Sequence, residues 1–325
     1  MLKYLISVVV AMALLCSLST KAATTSPEQV KPAEVHIGIY VNQLLGMSIK
    51  DNNFDIDYYL WLRWKDPELK PNSSIELLNG RQSCQTIAEE QKKDWFYVTL
   101  RCVSKVTRFW DLSRFPLDDQ VWELVFEDNN NDIAALKYIP DTPNSNISKV
   151  FNVSGWKVGE LYTRAEVGEY DSNFGDPTLA DKYNSQYSRF VVGINLERTL
   201  ADAGYAFKLI FPVFVAMLIA LLHFFIPIES VSRFNLAVGS IFASVGASYT
   251  ITNSLPQSSY MSLAELINLT TIVFILICLC GSVYSFYLFK QQGGAFKYKV
   301  FDKWFASSIF ALYSILMIAI IGLRS

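Results

Sequence analysis

The stretch RFNLAVGSIFASVGASYTITNSLP, residues 233 to 256, is the part of the sequence from which the rest can be interpreted. As a helix rising about 1.5 Å per residue it would span roughly 36 Å, enough to cross a hydrocarbon core ~30 Å thick. A lone membrane helix cannot hide a polar face, but several copies around an axis can turn one inward and line a water path. At spacings of three and four residues, one stripe carries only small, amide-bearing or aromatic side chains: Asn235, Gly239, Phe242, Gly246, Tyr249 and Asn253. The pattern predicts a pore-lining helix.

A packing seam is the alternative interpretation of the same stretch. Small residues let membrane helices approach one another closely. They recur here at Gly239, Ser240, Ala243, Ser244, Gly246 and Ala247. In that case this face would pack dry against neighbouring helices, and the helix would line no pore.

Charge is divided unevenly along the chain. Residues 23–202 carry 19 Lys and Arg against 27 Asp and Glu, a net charge of −8, whereas residues 203–325 carry 7 against 3, a net charge of +4. With 51% hydrophobic residues overall, this division predicts an acidic aqueous domain followed by a membrane domain. The sequence has no basic patch suited to nucleic acid, and its two histidines, His36 and His223, are too far apart to suggest a metal site.

Residues 1–22 have the features of a secretory signal peptide. Lys3 precedes an apolar core of about a dozen residues, and small residues follow, which suits cleavage there. Export would place the acidic domain outside the cytoplasm, where disulfides can form. Cys84 and Cys102 flank a polar segment of that domain and could close a hairpin-like loop if their Cα atoms come close enough.

Short alternating runs broken by Asn, Asp, Gly and Pro extend from Glu34 to Leu200, the pattern of an immunoglobulin-like β-sandwich. We predict strands at 35–45, 54–64, 74–78, 95–107, 120–127, 157–167 and 188–200. The domain shows no nucleophile–base set, paired catalytic acids or phosphate loop, so we expect neither an enzyme nor a bound cofactor. The acidic run 127–132 could bind calcium, but it lacks the ligand spacing of a calcium loop and is more typical of a solvated turn.

Four apolar spans follow and predict a transmembrane bundle of four helices. They lie at about 204–227, 233–255, 263–289 and 304–323. The link between the third and fourth spans carries Lys290, Lys297, Lys299 and Lys303, which the positive-inside rule places in the cytoplasm. Export of the N-terminal domain gives the same orientation independently.

Five short motifs follow one another along the chain. Residues 64–69 read WKDPEL, and residues 115–120 read FPLDDQ. Arg198 precedes the first span, Pro212 lies inside it, and NSLP at 253–256 ends the second. In this order they resemble the motifs of pentameric ligand-gated ion channels of the Cys-loop receptor superfamily. The resemblance covers nearly the whole chain after the signal peptide.

Two features depart from the animal receptors of that family. Arg108 and Trp122 stand where the signature disulfide would flank the FPLDDQ loop, and the link between the third and fourth spans is short. Both departures are typical of the bacterial branch. The resemblance therefore points to a bacterial inner membrane.

The resemblance implies a homopentamer in which an agonist bound between neighbouring outer domains opens a central pore. The expected partners are a small-molecule agonist, such as a cationic amine, the permeant ions and the lipid bilayer. Candidate ligand-binding residues are Phe174, Tyr183 and Tyr187 on the principal side, with Tyr59 and Trp61 on the complementary side. Packing of these rings on their own sandwich is the alternative.

The same resemblance suggests how the signal reaches the membrane. Asp118 and Arg198 would form a charge pair beside the loop at Asp51 and the link at Pro256, unless Asp118 only caps a turn. Glu229 is the nearest acid to the inner pore mouth and favours cations. The competing function is a membrane-anchored, solute-sensing binding protein that does not conduct.

Overall fold

The computed structural model describes residues 31–180, 184–198, 203–291 and 294–324. The expected signal peptide and Tyr183 lie outside the described residues. Within them, a two-sheet β domain is followed by four long apolar helices, as the sequence predicts.

The β domain consists of two stacked sheets. The larger has the strand order β4-β5-β2-β1-β7, with β8 beside β1, and the smaller has the order β3-β6-β10-β9. The strands are β1 (Ala33–Ser48), β2 (Asn53–Trp64), β3 (Ile75–Leu77), β4 (Gly80–Lys92), β5 (Trp95–Thr107), β6 (Gln120–Asp128), β7 (Leu136–Pro140), β8 (Asn146–Ile147), β9 (Trp156–Asp171) and β10 (Asn184–Arg198).

Alternation along the strands explains why the two sheets stack. In β2, Ile56, Leu60 and Leu62 point inward and are fully buried, whereas Tyr59 and Trp61 on the outer face are only half-buried. Phe54 stacks on Trp122 of the facing sheet with ring centroids 4.3 Å apart. These inward residues fill the space between the sheets.

Strand β4 forms where the sequence predicts none. Its residues, GRQSCQTIAEEQK, are mostly polar and exposed, so they show no alternation of apolar side chains. Its ladder with β5 holds it at the edge of the larger sheet. The Cys84–Cys102 disulfide, which is confirmed, joins directly opposed residues of this hairpin with Cα atoms 4.1 Å apart.

The four helices are α1 (Ala203–Leu222), α2 (Val231–Asn253), α3 (Leu263–Lys290) and α4 (Gly294–Arg324). Each is long and apolar enough to cross a membrane, but α2, with a mean hydropathy of 1.3, is well below the 2.2–2.4 of the other three. Helix α4 begins at Gly294, about ten residues before the apolar span predicted at 304–323. Its first turns contain Lys297, Lys299 and Lys303, whose side chains are exposed.

The sandwich contacts the bundle where α3 begins. The backbone N–H groups of Leu263 and Ala264 donate to the carbonyl oxygens of Ser113 and Phe115, each at 3.1 Å. Ser262 caps this helix reciprocally with Glu265, which leaves these two N–H groups for the loop above. The end of α2 and the start of α3 therefore face the sandwich, and the start of α2 lies at the far end.

Candidate pore and gating junction

The stripe predicted to line a pore lies on the free face of α2. All six of its residues are exposed in the single chain, and Phe242 and Tyr249 are 72% and 73% exposed. The opposite face packs inside the subunit through Arg233, Ala237, Ser240, Ser244, Ala247 and Ile251. Among the described residues of one chain, nothing packs over this stripe.

The two predicted uses of the small residues separate onto different faces of α2. Ser240, Ser244 and Ala247 are buried within the subunit, and Ser244 donates a hydrogen bond to the amide oxygen of Asn268 on α3. Gly239 and Gly246 lie on the exposed face, where an added Cβ would meet no atom within 4 Å. Half of the seam packs inside the subunit, and the other half stays free.

The acid and the base nearest the start of α2 differ in exposure. Glu229, on the link before the helix, is exposed. Arg233, in the first turn, is fully buried. Of these two charged groups, only the carboxylate of Glu229 is open to solvent.

The structure brings Asp118 and Arg198 together at the junction between the domains. Arg198 Nε lies 3.3 Å from Asp118 Oδ1, and both side chains are largely buried. Gln120 donates to the other carboxylate oxygen of Asp118 at 2.7 Å. The Arg198 backbone N–H donates to Asp119, so the end of β10 is tied to the loop before β6.

Aromatic rings surround the Arg198 guanidinium. Its carbon atom lies 4.0 Å from the ring centroid of Trp156, 5.6 Å from that of Phe115 and 5.9 Å from that of Tyr205 on α1. Cation–π attraction of this kind stabilises a charge that water cannot fully solvate. No local sequence pattern links Trp156 to Arg198, because β9 begins about 40 residues before Arg198 and only the β9–β10 pairing joins them.

The link between α2 and α3 reaches the same loop. The Tyr260 hydroxyl donates to the Trp110 carbonyl oxygen at 3.0 Å and accepts from the Leu112 N–H at 3.1 Å. Pro256 lies in this link, just after α2 ends. Asp51, in the turn between β1 and β2, accepts a hydrogen bond from Ser48 within its own turn.

Tyr59 and Trp61 share the outer face of the larger sheet. The Trp61 ring lies flat over β1 because Gly38 faces it, and a Cβ at Gly38 would come within 2.3 Å of the ring. The indole N–H donates to Asp141 at 3.1 Å. Trp61 and Asp141 help to line a cavity of about 360 Å³, together with His36, Arg63, Tyr97 and Asn144.

Phe174 and Tyr187 pack together at the end of the β9–β10 hairpin. Tyr170, which the sequence analysis did not select, completes a triangle of rings with centroids 5.4–6.3 Å apart. Arg189 already occupies the space over the Tyr170 ring, at 5.2 Å, and pairs with buried Glu127. Burial raises the pKa of the Tyr170 hydroxyl, so it stays protonated and donates to Glu127.

The two groups of candidate ligand residues belong to different sheets. Tyr59 and Trp61 lie on the larger sheet, whereas Tyr187 lies on the smaller sheet and Phe174 in the loop at the end of its β9–β10 hairpin. Among the described residues, no ring contact joins the two groups. Within the described part of one chain, the two groups therefore do not form one aromatic cluster.

The acidic run 127–132 is a solvated turn only in its second half, because Glu127 and Asp128 are buried at the end of β6. Asp128 Oδ1 accepts hydrogen bonds from the backbone N–H groups of Asn130 and Asn131, and its other oxygen accepts from Ser74. These donors occupy both of its oxygens. The described residues contain no group of three or more His, Cys, Asp or Glu placed to hold a metal.

No family model matches the sequence. Two proteins of similar sequence are both named ligand-gated ion channel 4, one from Caenorhabditis briggsae and one from Caenorhabditis elegans. Each is 21% identical over 257 residues, which cover 70% of this chain and 38% of the relative. The chain is a distant homologue that spans well under half the length of these relatives.

Proposed function

We propose that the chain is one subunit of a homopentameric ligand-gated ion channel in the bacterial inner membrane. The observation that carries the proposal is the polar and small stripe of α2, which the rest of the subunit leaves uncovered. Exposed polar groups are costly in lipid, so identical copies must enclose this face around water. Similarity to two ligand-gated channels supports the same conclusion.

Gating begins, in this proposal, with a small-molecule agonist between neighbouring β domains. Trp61 and Tyr59 of one subunit would face Phe174 and Tyr187 of the next. A cationic amine suits this site, because the rings attract a cation and Asp141 lies beside Trp61. Glu229, exposed at the inner mouth, gives the pore its preference for cations.

The signal then passes through the Asp118–Arg198 pair and the Tyr260 link. Arg198 touches the loop, β9 and α1 at once, and Tyr260 ties the α2–α3 link to that loop. A shift of β10 therefore moves the first helix, and a shift of the loop moves the link after α2. In this proposal, Pro256 and the turn at Asp51 would take part in the same transfer.

Electrical recording tests the proposal. The purified protein is fused into planar bilayers while pH, calcium and small amines are varied one at a time. A stimulus that opens cation-selective steps, together with a pentamer in native mass spectrometry, is the expected result. A stable monomer or dimer with no current under any stimulus would instead favour a non-conducting binding protein.

A further inference from the structure

Arg233 is a charged residue that lies on the buried face of α2, away from the proposed pore. It begins the buried stripe that continues through Ala237 and Ser240, and none of its surface is exposed. The pore stripe, which begins at Asn235, lies on the other side of the helix. Burial of a guanidinium is costly unless partners replace its water.

Four groups replace that water. Nη1 and Nη2 donate to the two carboxylate oxygens of Asp302 at 2.7 and 3.0 Å. Nε donates to the Ser282 hydroxyl at 3.1 Å, and Nη1 also reaches the Ile226 carbonyl oxygen at 3.4 Å. The Phe224 ring lies 5.4 Å from the guanidinium carbon. Each nitrogen of the guanidinium thus has a hydrogen-bond acceptor.

These partners come from the segment after α1, from α3 and from α4. Phe224 and Ile226 follow α1, Ser282 lies on α3, and Asp302 lies on α4. Of the four long helices in the described part of the chain, α4 has the smallest buried share in its apolar span. The one carboxylate that neutralises Arg233 is therefore supplied by the most peripheral helix.

The pair has a consequence for the charge at the inner mouth. Glu229 is exposed four residues before Arg233, so five copies would place a ring of carboxylates there. A guanidinium released from the bundle would seek the nearest water, and the first turn of α2 lies at that same mouth. Five such cations would cancel the carboxylate ring.

We propose that Asp302 is a positioning residue for ion selectivity: by pairing with Arg233 inside the bundle, it keeps five positive charges out of the inner mouth. The inference rests on the proposed channel function. It assigns to a side chain on the outermost helix, remote from the permeating ions, control over which ions enter. Asp302 acts only through Arg233.

Reversal potentials under a salt gradient test the inference. Asp302→Asn removes the carboxylate but keeps a side chain of the same shape, and the ratio of cation to anion permeability should fall about tenfold as Arg233 leaves the bundle. Asp302→Glu, which keeps the pair, should leave the ratio unchanged. The double variant Arg233→Gln with Asp302→Asn, which has no charge to release, should also match the wild type.

Arg233→Gln alone covers the case in which Asp302→Asn does not assemble. Because Arg233 is withdrawn from the pore in the wild type, its removal should leave the reversal potential unchanged. A rise in cation preference in this variant or in the double variant would overturn the inference, as would an unchanged ratio in Asp302→Asn. A wild-type protein that passes no current would instead refute the proposed channel function itself.

Discussion

Two arginine–aspartate pairs stand at opposite ends of the membrane bundle, and they are built differently. At the sandwich, Arg198 reaches Asp118 through one contact of 3.3 Å, and its Nη2 has no hydrogen-bond partner among the described residues. At the far end, Arg233 donates hydrogen bonds to both carboxylate oxygens of Asp302, at 2.7 and 3.0 Å. The outer pair thus has one long hydrogen bond, and the inner pair has two shorter ones.

The difference suggests that the two arginine–aspartate pairs have different roles. A single long contact among aromatic rings can shift when β10 moves, which suits an element that must change state. A bidentate pair without access to water loses too much on breaking to act as a switch, so it suits an anchor. We infer that the sandwich end of α2 moves and the far end stays fixed.

The largest effect should follow from breaking the inner pair. Asp302→Ala leaves a buried guanidinium unpaired, which should cost about 3–5 kcal/mol and lower the melting temperature of the detergent-solubilised protein. Lys303→Ala, which removes an exposed charge from the next position, is the matched control and should change little. Equal melting temperatures for the two variants would show that the inner pair is not an anchor.

A smaller effect is expected at the outer pair. Asp118→Arg and Arg198→Asp should each impair opening by the stimulus found in bilayer recordings, and the two together should restore part of it, with a coupling of roughly 0.5–3 kcal/mol. Swapping the exposed Lys157–Glu197 pair nearby should alter opening far less. Fully additive losses would mean that Asp118 and Arg198 do not act together.

We expect the next largest effect at Phe242, which lies between the two pairs and is the proposed gate. Phe242 is flanked on the stripe by Gly239 and Gly246, so five phenyl rings would form an apolar neck that blocks ions by losing its water. Phe242→Ser should add a resting current without any stimulus. Tyr249→Ser is the control and should change conductance more than leak, since a tyrosine hydroxyl already holds water. A Phe242→Ser channel that stays closed at rest would place the gate elsewhere.

The smallest effect should come from a third pair, out on the sandwich. Asp57 accepts two hydrogen bonds from Arg101, which is nearly half exposed, and these hydrogen bonds lower the pKa of Asp57. Because the pKa of Asp57 is lower in the folded state, its ionised carboxylate stabilises the fold above the usual aspartate pKa of about 3.9. This stabilisation is lost as pH falls through the folded-state pKa.

Asp57→Asn should therefore reduce the melting temperature at pH 6 but not at the lowest pH that the fold tolerates. We expect the loss in free energy of unfolding to be less than about 1 kcal/mol, since solvent screens Arg101. Thermal melts of both proteins between pH 6 and pH 3 would measure it. A difference in melting temperature between the two proteins that widened toward low pH would contradict a stabilising role for the ionised Asp57 carboxylate.

How much the sequence predicts depends on the range of the interaction. Helical spacing alone separates the exposed stripe of α2 from its buried face, and Arg233, four residues before Ala237, belongs to the buried set by the same spacing. Its partner is 69 positions away on α4, and no local pattern marks it. The disulfide could be proposed because exported cysteines within one hairpin tend to pair.

Other features are absent from the sequence pattern for physical reasons. Strand β4 is held at a sheet edge by backbone hydrogen bonds, so its side chains need not alternate. Trp156 and Tyr170 reach their places beside Arg198 and Arg189 through the pairing of β9 with β10, which sequence distance conceals. The candidate ligand residues lie on the larger sheet and at the β9–β10 hairpin of the smaller sheet, and no local sequence pattern shows how these two regions are arranged.

The central claim, that the exposed stripe of α2 lines a water-filled pore, is tested most directly at two adjacent positions. Gly246 faces outward, where an added Cβ would meet no atom within 4 Å, whereas Ala247 is 6% exposed and packs inside the subunit. During bilayer recordings a water-soluble thiol reagent should irreversibly reduce the current of Gly246→Cys and leave that of Ala247→Cys and the wild type unchanged. Block of Ala247→Cys with no effect on Gly246→Cys would contradict the account.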